Sequence, residues 1–411
     1  MSLLSAEFFA LVVATSFWML WARGAWRIAG FVALSSVFAT SHLLGSGEGF
    51  GRYAGIIGTL GFIGLGYLGL KLVDAKPRRL PVVVVMLVAV FVWMRRYDFV
   101  GYAIGEDFTT RLFISAGLSF LLFKILHLIV DVAGRASERP SPGMFLAYCL
   151  NLTAFLMGPI QRFSDFQAQW VGRECALPAT WGAHLDALLR ILRGLIKKYV
   201  LAELLFKLWI ESHGFGPGRD LATMPLHELA LAPYAFYLRL YLDFSGYCDV
   251  MIGAGSLIGI RPPENFNLPI LARDVADFWL RVHRSLTLWL TDYVFTPLRM
   301  RTLRSSWFCR WPSLGLAICL MTTMFVSGLW HGTTTAFMLF GLVHGVYLVV
   351  HRLYELAMQK RRGRKGLREL RARWSYRLAA WALTFLVTGF AYIFFALSTD
   401  ELRTLAERFG A

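Results

Sequence analysis

The side chains best suited to proton-transfer chemistry are histidines between positions 283 and 344. His331 closes the run Leu316–Trp330, which is apolar apart from Thr322, Thr323 and Ser327, and it sits within Gly328-Leu329-Trp330-His331-Gly332. An ionisable group at the end of a membrane-length apolar run is costly to keep there and points to function. Imidazole changes charge near neutral pH, so it can take a proton from a hydroxyl and return it later. Glycines on both sides allow another backbone or a substrate to come close. His283 lies in Asp277-Phe278-Trp279-Leu280-Arg281-Val282-His283-Arg284. Read as one helix, this run puts Trp279, His283 and Thr287 on one face and pairs Asp277 with Arg281. An interfacial amphipathic helix with snorkelling side chains accounts for the same run. His344 and His351 also share a helical face, with His344 inside an apolar span.

Two acids, Asp243 and Asp249, occur with Ser245 and Tyr247 in an otherwise apolar stretch. They could bind a cation or relay protons; equally, they could pair with Arg239, Arg281 or another basic residue and hold helices together. The remaining histidines, His42, His127, His184, His213 and His227, read as structural, because ordinary hydrogen bonding explains them. The sequence has no zinc signature, Walker loop, GxSxG elbow or dinucleotide fingerprint. A metal held by His283, His331 and Asp243 would have no recognisable ligand spacing, so none is expected. The cysteines Cys149, Cys175, Cys248, Cys309 and Cys319 are scattered without a CxxC pair, which indicates neither a disulfide framework nor a metal cluster.

These groups must be positioned by membrane helices. Hydrophobic residues make up 57% of the 411 and charged residues only 17%, against about 25% charged in soluble domains. The mean hydropathy is +0.54. Apolar blocks of about twenty residues predict helices near 7–22, 26–44, 54–73, 80–94, 111–133, 143–160, 313–330, 335–357 and 376–397. With a less regular region at 184–300, the expectation is an all-α polytopic membrane protein of about eleven or twelve spanning or re-entrant helices. The first apolar run reads as the first of these helices, not as a cleaved leader. Gly158-Pro159, Pro262-Pro263 and Pro297 interrupt the helices. Non-helical backbone at membrane depth must line a cavity or be buried in protein, so these breaks predict a central tunnel.

The net charge of +16 belongs to the positive-inside rule and not to nucleic acid. Arg23, Arg27, Lys76, Arg78, Arg79, Arg135, Arg139 and the dense 360–373 cluster would all be cytoplasmic, leaving Arg95 and Arg96 on the wrong side.

The motifs, in order, are Gly117-Leu-Ser-Phe with Val130-Asp-Val, Gly158-Pro-Ile-Gln-Arg-Phe163, Asp243-Phe-Ser-Gly-Tyr-Cys-Asp249 and Pro263-Glu-Asn-Phe-Asn267. They continue as Asp277-Phe-Trp279 with His283 and Ser285-Leu286, Trp289-Leu-Thr-Asp-Tyr293, Gly328-Leu-Trp-His-Gly332 and Gly341-Leu-Val-His-Gly345. This ordered set resembles the membrane-bound O-acyltransferase (MBOAT) family, in the branch of bacterial alginate O-acetyltransferases and teichoic acid D-alanyl transferases. The likeness covers about 110–400. It implies the MBOAT fold as a single integral membrane domain, with peripheral helices over 1–105 and a catalytic core over 106–400. By the same resemblance His331 is the catalytic residue and His283 the second family histidine, while Trp330, Asn265, Asp243 and Trp279 are expected to contact substrate. Val282 and Arg284 replace the family's usual Trp and Ile, and Thr296-Pro297-Leu298-Arg299 lacks a common double glycine.

The implied chemistry is acyl transfer from an acyl-CoA or acyl-carrier-protein thioester to a hydroxyl, with no bound cofactor. The implied setting is the bacterial inner membrane, with an extracytoplasmic acyltransferase or polymer-export system as partner. Two rival readings are a secondary transporter, which predicts symmetry-related breaks in two halves that are not seen before residue 100, and a non-catalytic scaffold of an envelope assembly.

Overall fold

A computed structural model describes residues 4–44, 50–98, 100–101, 117–171, 177–178, 180–211 and 221–410. Among these residues the chain is helical, with no strand. By length and composition, Arg52–Ala75, Pro77–Arg95, Pro312–His331, Thr335–Ala372 and Trp374–Ala396 can cross a membrane, and Ala6–Trp21 is a shorter apolar helix. His213 and Cys175 lie outside the described residues, as does the start of the helix expected at 111–133.

The chain divides into two compact units. The first contains residues up to Leu195 together with Tyr247–Glu264. It holds α1 (Ala6–Trp21), α2 (Gly24–Leu43), α3 (Phe50–Ala75), α4 (Leu80–Arg95), α5 (Leu118–Ala133), α6 (Pro142–Leu150), α7 (Phe163–Val171) and α8 (Trp181–Leu195). The helix expected over 143–160 stops at Leu150, and 151–162 is non-helical. Its buried polar groups are met by protein. Tyr148 Oη donates to the Gln161 carbonyl at 2.6 Å and Asn151 Nδ2 to Gln161 Oε1 at 3.4 Å, while Gln161 Nε2 donates to the Arg261 carbonyl at 3.2 Å. Lys124, 1% exposed, donates to the carbonyls of Tyr148 and Cys149 and so caps the end of α6. His127 Nε2 accepts the Phe163 N–H at 3.2 Å, which leaves Nδ1–H to donate to the Phe123 carbonyl at 2.9 Å. A fully engaged neutral imidazole is a structural one.

The second unit contains Ile196–Gly246 and Asn265–Ala411. The helix α9 (Leu226–Ile258) belongs to it as far as Gly246. Then follow α10 (Val275–Arg281), α11 (Arg284–Leu290), a π-wound turn Thr291–Phe295, α12 (Thr296–Arg304), α13 (Pro312–His331), α14 (Thr335–Ala372), α15 (Trp374–Ala391) and α16 (Thr399–Arg408). Pro297 interrupts nothing. It falls in the first turn of α12, directly after the π-wound turn, and the helical path runs on through it. Gly363 (φ 69°) breaks α14 and turns 364–372 back, so that Arg371 reaches Glu355 at 2.5 Å.

Close approach of α13 and α14 fixes the core of this unit. A Cβ on Gly328 would meet the Phe337 carbonyl oxygen at 2.4 Å, and one on Gly341 the Met324 carbonyl oxygen at 2.3 Å. Small residues at matching heights let two membrane helices touch backbone to backbone. Gly328, before His331, therefore admits a neighbouring helix, not a substrate. Gly332 is closed as well, since a Cβ there would lie 2.0 Å from the Phe337 ring.

Candidate active site

His331 is the last residue of α13, and the chain leaves it in extended conformation at Gly332. Its ring lies among Trp330 (4.9 Å between centroids), Phe395 (5.0 Å), Phe340 (5.8 Å) and His283 (6.2 Å). The side chain is only partly buried, whereas Trp330 is 7% and His283 5% exposed. An aromatic wall of this kind keeps bulk water away from one face of the imidazole.

His283 does not continue a helix with Trp279 and Thr287, as the i, i+4 pattern suggested. The helix α10 ends at Arg281, and His283 adopts left-handed backbone (φ 44°) as the N-cap of α11. Its carbonyl accepts the N–H groups of Leu286 (2.9 Å) and Thr287 (3.0 Å). Such a conformation costs on the order of 1 kcal/mol in a non-glycine residue and persists only where neighbours over-determine it. Those neighbours include Asn265 and Asn267. The Asn265 carbonyl accepts Arg284 N–H at 2.8 Å, and Arg281 O accepts Asn267 N–H at 2.9 Å. Asn265 Oδ1 accepts both the backbone N–H (3.1 Å) and the hydroxyl (2.8 Å) of Ser285. Phe244 packs edge-on to the His283 ring at 5.0 Å, and Trp330 does so at 5.3 Å.

The other singled-out residues divide into groups. Asn265, 1% exposed, is tied to the His283 corner. Asp243 pairs with Lys198 at 2.5 Å, within the second unit. In the first unit Asp249 receives Arg190 (3.2 Å) and Arg193 (3.0 Å), and Arg190 also forks onto Glu264. Both acids thus hold helices, by cations other than the Arg239 or Arg281 named above. Asp277 pairs with Arg281 at 2.7 Å as the spacing predicts, with Asp274 capping the helix.

Trp279 packs against His344 at 5.1 Å. His344 is 0% exposed, lies parallel to the Phe278 ring at 5.9 Å and touches Phe340 at 4.6 Å. Neither ring nitrogen of His344 nor Trp279 Nε1 finds a hydrogen-bond partner among the described residues. The sequence places His344 in an apolar span between Gly341 and Gly345, and in the structure it packs on Phe278 and Trp279 of α10. Ser285 and Phe244 occur in the motifs without a role, and Phe395 in none; tertiary packing brings all three to the site. Among the described residues no three His, Cys, Asp or Glu side chains converge as a metal site would require.

Comparison with known proteins adds the family. Residues 78–392 match the profile of "MBOAT, membrane-bound O-acyltransferase family". The chain is 29% identical over 303 residues to a "Probable alginate O-acetylase" of Pseudomonas putida, covering 74% of this chain and 56% of the relative. It is 27% identical over 302 residues to a "Teichoic acid D-alanyltransferase" of Streptococcus thermophilus (70% of this chain, 69% of the relative). A "Peptidoglycan O-acetyltransferase" of Helicobacter pylori is 30% identical over 261 residues, with 62% and 45% covered. The chain thus spans little more than half the length of the alginate relative. The matched stretch includes the His283 corner, the α13–α14 glycine contact and His331, and the chain belongs to the membrane-bound O-acyltransferase family.

Proposed function

We propose that this protein is a multi-pass membrane O-acyltransferase that moves an acyl group, acetyl or D-alanyl, from a thioester to a hydroxyl of a cell-envelope polymer or its precursor. The observation that carries the reading is the approach of His331 and His283, 6.2 Å apart in an aromatic enclosure, in a chain of this family. The acetyl and D-alanyl choices come from the names of the relatives.

In this reading His331 takes the proton of the acceptor hydroxyl as its oxygen attacks the thioester carbonyl carbon. The tetrahedral oxyanion collapses, the C–S bond breaks, and the thiolate leaves with the proton from the His331 imidazolium. Thiol and ester are the products. His283, held by Asn265 and Ser285, orients the acyl carbonyl or stabilises the oxyanion. Trp330 and Trp279 line the substrate, and Asp243 contributes through Lys198. The donor is coenzyme A or a carrier protein on the cytoplasmic side, where 360–373 and the Arg299–Arg304 stretch lie by the positive-inside rule. A tunnel through about eleven or twelve spanning or re-entrant helices, with its catalytic core over 106–400, would bring the acceptor from the other side of a bacterial inner membrane. An export or extracytoplasmic acyltransferase partner would complete delivery.

Purified protein in lipid nanodiscs, offered radiolabelled acyl-CoA or an acylated carrier protein, tests the donor. Transfer from a thioester is expected; transfer only from lipid-linked or phosphate-ester donors contradicts the reading.

A further inference from the structure

The second unit carries a groove of about 790 Å³ far along α14 from His331, walled by α14, α15 and the segment before α10. Its walls are apolar, and the side chains that form them face outward: Val346 is 48%, Val350 59% and Leu383 62% exposed. Both helices are long and apolar enough to cross a membrane, so faces left uncovered along them meet acyl chains and not water.

One end of the groove is different. Three arginines, Arg273, Arg371 and Arg377, line it with Asp274 as the acid. Arg371 is held by Glu355 at 2.5 Å, and His351 lies 3.7 Å from Asp274. The guanidinium groups of Arg273 and Arg377 have no acidic partner among the described residues. Both are exposed, and Arg377 stands in the first turn of α15 beside Tyr376, whose hydroxyl meets that of Tyr354 at 3.3 Å. Aromatic residues with a polar tip sit at the headgroup level of a bilayer, so this end lies at the membrane surface. It also adjoins the basic stretch 360–373.

The geometry points to a binding site for one anionic phospholipid, with its phosphate between Arg273 and Arg377 and its acyl chains along Val346, Val350 and Leu383. Basic pockets between membrane helices recognise anionic headgroups in this way, and the volume is within the roughly 300–1,000 Å³ of small-molecule sites. The charge decides the class: a zwitterionic lipid would bring a choline or ammonium group against two unpaired arginines. Nothing in this assignment depends on the role of His331.

The test uses the full chain purified in neutral detergent, with phosphatidylglycerol or phosphatidylcholine added and retained lipid counted by native mass spectrometry. Wild-type protein should retain one phosphatidylglycerol in preference to phosphatidylcholine. The double variant Arg273→Gln/Arg377→Gln should lose roughly 10- to 30-fold of that preference, about a factor of five for each charge near a membrane surface. Leu383→Trp, which fills the groove and leaves both arginines, should reduce retention as well. If the double variant does not fold, as judged by gel-filtration elution, the groove-filling variant decides. Equal retention of the two lipids by wild type, or unchanged phosphatidylglycerol retention in Leu383→Trp, would overturn the assignment. So would displacement of the bound lipid by coenzyme A, which would make the groove a donor site.

Discussion

At the scale of single residues, the candidate site rests on how His283 is held. Its left-handed backbone is unfavourable for a non-glycine residue, and Asn265 is the residue that fastens it through Ser285. Asn265→Ala removes an acceptor of two buried hydrogen bonds, a loss of about 1–3 kcal/mol for the donors left unpaired. We expect a lower melting temperature and reduced turnover together. Asn265→Asp, which keeps the acceptor oxygen, should restore more of both than Asn265→Ala does. If Asn265→Ala matches wild type in turnover and melting temperature, Asn265 does not position the histidine. His344 makes the opposite prediction. Its ring is fully buried among aromatic side chains, with both nitrogens unpartnered among the described residues. Burying such polar atoms is unfavourable. His344→Phe, a substitution of similar shape, should therefore leave the melting temperature unchanged or raise it. A fall of several degrees would mean that the nitrogens have partners that stabilise the fold.

At the scale of elements, the contact between α13 and α14 sets where His331 ends up. Gly328→Ala or Gly341→Ala would drive a methyl group into a carbonyl oxygen of the opposite helix. Overpacking a tight contact costs typically about 1–3 kcal/mol, and separating the helices would also move His331 away from Phe340. Thermal unfolding in detergent should show the loss; unchanged stability in both variants would mean that the helices do not touch as described. The apolar runs made α1–α4, α13 and α15 legible to within a few residues, because lipid demands long uninterrupted apolar segments. The same criterion carried one expected helix through 151–160. There the backbone is satisfied by Tyr148, Asn151 and Gln161, and no hydropathy pattern encodes that network. The i, i+4 spacing merged α10 with α11, since the corner at His283 depends on Asn265, distant in sequence. The histidines themselves were legible from charge in an apolar setting; the residues that orient them were not.

At the scale of the whole molecule, the charge pattern sets the orientation. Lys and Arg crowd the segment 360–373 against Glu369 alone, a strong signal for retention on the cytoplasmic face. A cysteine placed at Gly366, half-buried three residues after the Gly363 turn, should resist an impermeant thiol reagent in intact cells and react after permeabilisation. Labelling from outside would invert the topology and, with it, the side from which the proposed thioester donor enters. The proton transfer to His331 proposed above is read by turnover from a thioester donor. His331→Ala, compared with wild type at matched expression and thermal stability, should lose about 10²-fold or more. His283→Ala should lose less, and His213→Ala and His227→Ala should stay near wild type. Near-normal acyl transfer by folded His331→Ala protein would mean that His331 is not the base.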